Sequence, residues 1–187
     1  MQPLFAVPPP SNETPPYYPY NAWSSLPLAL PFLVDPTSVY GSISGVLAIT
    51  SFRWWWSGDE QSRIIDVACV SYFFSYPAAV SYGFDNLPII IASTSLTLGL
   101  VRWDKPLQLV LGVSTLGTLI VIVVNKEYII LASTLLALAS KALHTTGLQT
   151  MGTAFFHILA GLVMILIQSH NWEESAPTGA CMLEFPQ

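Results

Sequence analysis

From Val39 to Gln168 the sequence is almost wholly apolar, broken only by short polar punctuation. Charged residues make up 9% of the chain against 52% hydrophobic, and the mean hydropathy is +0.55. Water-soluble domains carry roughly a quarter charged residues, so lipid is the expected solvent. The net charge of −5 comes largely from the two tails, and no cluster of Lys or Arg could track a phosphate backbone. Nucleic acid is therefore not an expected partner.

The apolar stretch divides into six hydrophobic segments, about 38–56, 64–83, 87–102, 107–124, 127–142 and 150–168. Several are nearer seventeen residues than twenty, the short end for crossing roughly 30 Å of hydrocarbon. Their connections are only a few residues long, so consecutive helices should run antiparallel and pack as neighbours. The expected fold class is all-α: a multi-pass membrane bundle of six transmembrane helices spanning residues 38–169.

Two tails flank this domain. Residues 1–37 form a Pro-rich exoplasmic or interfacial tail, with ten of the fifteen prolines in its first 36 positions. Proline at that density disfavours helix and predicts extended, polyproline-like chain. The stretch SSLPLALPFLV is interrupted by Pro27 and Pro31 and is expected to lie at the membrane surface, a depth that suits Tyr17, Tyr18, Tyr20 and Trp23. A glycosylation sequon, Asn12 to Thr14, is followed by Pro15. This segment has neither a basic n-region nor a continuous apolar run, so the first membrane helix is expected to direct insertion. Residues 170–187 form a short acidic tail. Cys69 reads as a small buried apolar residue, far in sequence from Cys181.

Basic residues predict the sidedness. Arg53 and Arg63 flank the first connection, Arg102 and Lys105 the third, and Lys141 the fifth, whereas the tails hold no Lys or Arg. The positive-inside rule then places both tails on the non-cytosolic side. On the same reasoning Arg53, Arg102 and Lys141 are interfacial anchors, Trp54, Trp55 and Trp56 an aromatic belt, Lys126 with Glu127 a surface pair, and His170 a solvated residue.

With that orientation the intramembrane polar groups gather at one depth. Asp66 enters the second helix from the same side as His157 enters the sixth, while Ser51 lies near the end of the first and His144 near the end of the fifth. Ionisable groups inside a membrane mark a candidate site. Asp66, Val70, Phe73 and Pro77 share one helical stripe, and His157 shares another with Thr153, Ala160, Gly161 and Met164. A carboxylate facing an imidazole could bind a metal, relay a proton or form a buried pair. Simpler readings are an i,i+3 pair between Arg63 and Asp66, and a core histidine bonded to a carbonyl or hydroxyl.

The segment RIIDVACVSYFFSYPAAVSYGF resembles the third helix of the progestin and adipoQ receptor and hemolysin III-like proteins, through Asp66, Ser75, Pro77 and Tyr82. LGLVRWDKP is similar to the stretch closing that family's fourth helix, and GTAFFHILAGL to its last helix. The alkaline ceramidases share the layout. The resemblance covers about residues 40–170 and makes the six segments the family's second through seventh helices. It implies a zinc site built from a Ser-x-x-x-His motif, a His-x-x-x-His motif and the aspartate. Here Ser51 is followed by Trp55 where a histidine is implied, and Thr153 precedes His157 where the other is implied. Asp66 and His157 are the implied metal residues that remain, with Ser51 and His144 as neighbours of a polar or metal-remnant site.

The expected function is therefore non-catalytic: a receptor- or scaffold-like membrane protein that binds lipid or partner helices, with no cofactor. Other readings are an accessory subunit bound to further membrane subunits, a metal-dependent lipid amide hydrolase using zinc, and a small transporter or channel subunit.

Overall fold

A computed structural model of the chain describes residues 19–143 and 149–170. The described residues are helical, with no strand among them. The earlier part of the N-terminal tail, His144 and nearly all of the acidic C-terminal tail with Cys181 lie outside them.

The described part of the Pro-rich tail is not extended. It forms helix α1 (Pro19–Ser24), a 3-10 turn (Leu26–Ala29) and helix α2 (Leu30–Val34). Pro19 opens α1, Pro27 stands in the first turn of the 3-10 element, and Pro31 stands in the first turn of α2. At those positions the missing N–H has no helical partner to lose and the fixed φ suits the helix, so proline starts short helices rather than forbidding them.

Next comes α3 (Val39–Ser57), capped by the Ser38 hydroxyl, which accepts from the Gly41 N–H at 3.0 Å. It ends at Gly58, whose φ of 69° is left-handed and whose N–H donates to the Trp54 carbonyl at 2.8 Å. Helix α4 (Glu60–Ser81) starts at once, because the Asp59 carboxylate accepts from the Ser62 hydroxyl at 2.6 Å and from its N–H at 3.3 Å. Arg53 pairs with Asp59 at 3.1 Å and ties the two helices at this corner. Then follow α5 (Leu87–Leu100), α6 (Asp104–Val124), α7 (Tyr128–Leu143) and α8 (Gln149–Ser169).

The six hydrophobic segments thus each contain a helix, but six full-length spans are not what these helices supply. Among the described residues three are long and apolar enough to cross a membrane: Glu60–Ser81, Asp104–Val124 and Gly152–Ser169. Helix α5 has 14 residues, about 21 Å at 1.5 Å per residue. The run Tyr128–Ala142 is likewise short. Helix α3 is 19 residues long but is diluted by Ser42, Ser44, Thr50, Ser51 and Arg53.

Helix α4 is the hub, packed against α3, α5 and α6, while α7 packs on α8. The N-terminal segment (α1, the turn and α2) lies between α3 and α8 and touches both. Gly161 on α8 makes that close approach possible: a Cβ there would overlap the Pro27 carbonyl oxygen and lie 2.7 Å from its carbon. The Phe32 N–H donates to the Ser44 hydroxyl at 2.9 Å on the α3 side. A buried core of Tyr40, Leu47, Cys69, Tyr72, Phe73, Ile122, Met164 and Ile167 fills the centre. Tyr40 stacks edge-on against Phe73 at 4.8 Å and donates its hydroxyl to the Met164 carbonyl at 3.1 Å.

Outside, α5, α6 and α7 present Ile90, Leu109, Val113, Leu116, Ile120, Ile129 and Leu136. An apolar surface this continuous is what a helix facing hydrocarbon requires. Thr94 and Thr97 on the same outer surface donate to the Ile90 and Ser93 carbonyls at 2.8 and 2.9 Å, so their hydroxyls are satisfied within α5. Three apolar helices and this surface make the chain a helical protein compatible with a membrane setting.

Candidate functional site

A cavity of about 80 Å³ lies among α3, α4, α6, α7 and α8. Most of its wall is apolar, including Leu47, Val70, Phe73, Phe156, Val163 and Met164, whereas Ser51, Asp66, Thr118, Thr134 and His157 supply its polar groups. The α4 stripe expected from the sequence delivers Asp66, Val70 and Phe73 to this wall. Pro77 is buried but is not part of the lining. On α8 the His157 stripe splits its work. Ala160 and Met164 line the cavity, and Gly161 receives Pro27.

His157 is 4% exposed and belongs to a hydroxyl network that comes from the N-terminal segment. Its Nδ1 stands 3.0 Å from Ser24 Oγ and 3.3 Å from Ser25 Oγ. Both hydroxyls also reach the Asn21 carbonyl, at 3.0 and 2.9 Å, and that carbonyl can only accept. Where Ser24 and Ser25 donate to Asn21 they accept from Nδ1–H, and Nε2 is then the acceptor nitrogen of a neutral ring. Ser25 Oγ also lies 3.1 Å from Ser51 Oγ, so the chain continues to α3. Ser51 in turn is the polar side chain beside the Asp66 carboxylate. Ser51, Asp66 and His157 are thus brought to one cavity, with Ser51 and the two N-terminal serines between the carboxylate and the imidazole. His144 lies outside the described residues.

Asp66 is half-buried as a residue, yet its Oδ1 is sealed and meets no hydrogen-bond partner. The Arg63 pairing expected for it does not form. Arg63 turns towards the helix start and grips Glu60 through two contacts, at 2.6 and 2.9 Å. Geometry decides this, since a bidentate guanidinium–carboxylate fork outcompetes a single longer contact. Thr134 Oγ1 is a second sealed polar atom on the cavity wall without a partner. Thr118 donates instead to the Phe74 carbonyl, near the place where Pro77 interrupts the hydrogen bonding of α4.

Lys141 is not an interfacial anchor. It is 8% exposed, with its ammonium 5.9 Å from the centre of the Trp55 ring and 5.5 Å from that of Phe156. Asp66 is the carboxylate that acts on it, although no nitrogen–oxygen pair between them comes within direct ion-pair distance among the described residues. The tryptophan belt is also corrected: Trp54 and Trp55 are buried at 7% and 4% exposure, and only Trp56 faces outwards. Trp55 stands edge-on to His157 at 6.0 Å, so a bulky ring occupies the place beside the imidazole. At the opposite end of α8, His170 is not merely solvated. Its Nδ1 lies 3.7 Å from the Glu127 carboxylate, which replaces the expected Lys126–Glu127 pair. Adjacent residues on a chain seldom face each other, and the backbone at Lys126 is left-handed, with a φ of 59°.

The fit to zinc can be judged from these donors. A zinc site takes about three protein ligands of the His, Cys, Asp or Glu type. No group of three such side chains converges among the described residues. Trp55 and Thr153 stand at the two implied histidine positions, and the Lys141 cation sits beside the site. The described residues do not fit a zinc ion. No known protein family, curated protein or solved structure matches the chain.

Proposed function

We propose that this chain is a multi-pass membrane protein that holds a lipid in its central cavity without reacting it. The observation that carries the reading is the pairing of an apolar wall with unpartnered polar atoms, Asp66 Oδ1 and Thr134 Oγ1. Leaving such atoms buried and unsatisfied costs roughly 1–3 kcal/mol each. A ligand with a hydroxyl or amide N–H at its head would satisfy Asp66, and the adjoining methylenes would lie against Val70, Phe73 and Met164. The remainder of the lipid extends towards the bilayer, because about 80 Å³ holds only the head and a short length of chain.

The same proposal includes six membrane-crossing helices, with α5 and α7 meeting a locally thinned bilayer, and both tails on the non-cytosolic side. Arg53, Arg63, Arg102 and Lys105 support that sidedness. Lys141 does not count towards it, being buried in the bundle. It also includes kinship with the progestin and adipoQ receptor fold, supported by the convergence of Ser51, Asp66 and His157 on one cavity.

Mass spectrometry of the intact protein released from detergent tests the lipid reading. One retained lipid per chain is expected, weakened by Asp66→Asn and displaced by Ala137→Leu, which fills the cavity wall. A chain that carries no lipid, or carries it equally in both variants, would refute it.

A further inference from the structure

The mismatch with zinc leaves a question of charge. Asp66 is an acidic group among apolar helices, and a carboxylate there needs a positive counter-charge. Arg63 is spent on Glu60. Lys141 remains, buried on α7 and aimed at the faces of Trp55 and Phe156. Both rings lie within about 6 Å, the range over which an aromatic quadrupole attracts a cation. Trp55 also touches His157 edge-on, so a single ring is shared by the ammonium and the imidazole.

We propose that the Lys141 ammonium is the resident cation of this site, standing in for a bound metal as the counter-charge of Asp66. The two groups act on each other without direct contact, and the aromatic rings hold the ammonium in place. A divalent ion entering beside Asp66 meets a fixed positive charge and, among the described residues, no group of three His, Cys, Asp or Glu side chains to hold it. The site is therefore self-neutralised and closed to metal. This holds whether or not the cavity carries lipid.

The test uses full-length protein in detergent, with zinc content by elemental analysis and thermal unfolding followed for Lys141→Met, Asp66→Asn, the double variant and Lys141→Arg. Expected are substoichiometric zinc in the wild type, no shift of its midpoint with added zinc or chelator, and a lowered midpoint for each single variant. The double variant should recover much of the summed loss, since removing both charges leaves neither one unpaired, and Lys141→Arg should stay nearest the wild type. Near-stoichiometric zinc that disappears in His157→Ala would overturn the proposal. Strictly additive losses in the double variant would overturn it as well. If Lys141→Met fails to fold alone, folding of the double variant still supports the pair, and its failure counts against it.

Discussion

Replacing Gly161 by alanine should separate the N-terminal segment from α8, and an identical substitution elsewhere supplies the control. At Gly161 the new methyl would overlap the Pro27 carbonyl oxygen and lie 2.7 Å from its carbon and 3.1 Å from Pro27 Cβ. The nearest obstacle is backbone, held in turn by the Phe32–Ser44 hydrogen bond, so it cannot swing aside as a flexible side chain would. Overpacking of this kind costs about 1–3 kcal/mol. Against it stands the gain from alanine in a helix, about 1 kcal/mol. Gly112 on α6 has nothing within 4 Å of its would-be Cβ, so there alanine brings the helix gain alone. The propensity term cancels between the two variants, and their difference should equal the overpacking cost, about 1–3 kcal/mol. Thermal unfolding in detergent measures it. Chymotryptic cleavage within residues 19–34 should also accelerate in Gly161→Ala, because displacement of Pro27 carries Ser24 and Ser25 away from His157. Equal stabilisation by both substitutions would refute the docking of this segment on α8.

Ser25→Ala should destabilise by roughly 1 kcal/mol or more, since its buried hydroxyl joins Asn21, Ser51 and His157. Ser24→Ala should cost less, because that site is half-buried and water can take the hydroxyl's place; unfolding midpoints of the two variants check the order. Asp59→Ala should remove the cap of α4 at a cost of about 0.5–2 kcal/mol. The Ser62 hydroxyl, helped by Arg53, holds the Asp59 carboxyl below its ordinary value of 3.8. A depressed acid adds stability above its unfolded value and surrenders it as pH falls through the folded one. The gap between wild type and Asp59→Ala should therefore be full near neutrality and close in acid. A gap that widens with acidification would contradict this sign.

The sequence made the helices legible because continuous apolar runs between short connections leave few alternatives, and each of the six segments holds a helix. Membrane crossing was less legible. Hydropathy falls on α3 because it carries Ser44, Thr50 and Ser51 on its inward face, and α5 stops at 14 residues. Asp66, Ser51 and His157 were found from polarity at matching depth, a signal that survives when partners are unknown. Lys141 was misread for a physical reason: a lysine near a helix end has the same sequence appearance whether its ammonium reaches water or turns onto an aromatic face. What distinguishes the two is the position of Trp55 and Phe156, which comes from other helices and leaves no local mark.

The N-terminal serines were missed for a related reason, and they change what the site is. Proline density suggested an extended surface strand, yet each proline of residues 19–34 stands where a short helix begins, and the segment folds into the groove between α3 and α8. Ser24 and Ser25 then hold the imidazole from the side remote in sequence, over separations of 133 and 132 residues. The site is thus completed by a segment outside the six apolar helices. Two of the contacts that orient its histidine come from that segment, so undocking residues 19–34 should change the setting of His157. A perturbation at Gly161, a full helical turn from the imidazole on α8, should consequently be felt at the site as strongly as the removal of the serines themselves.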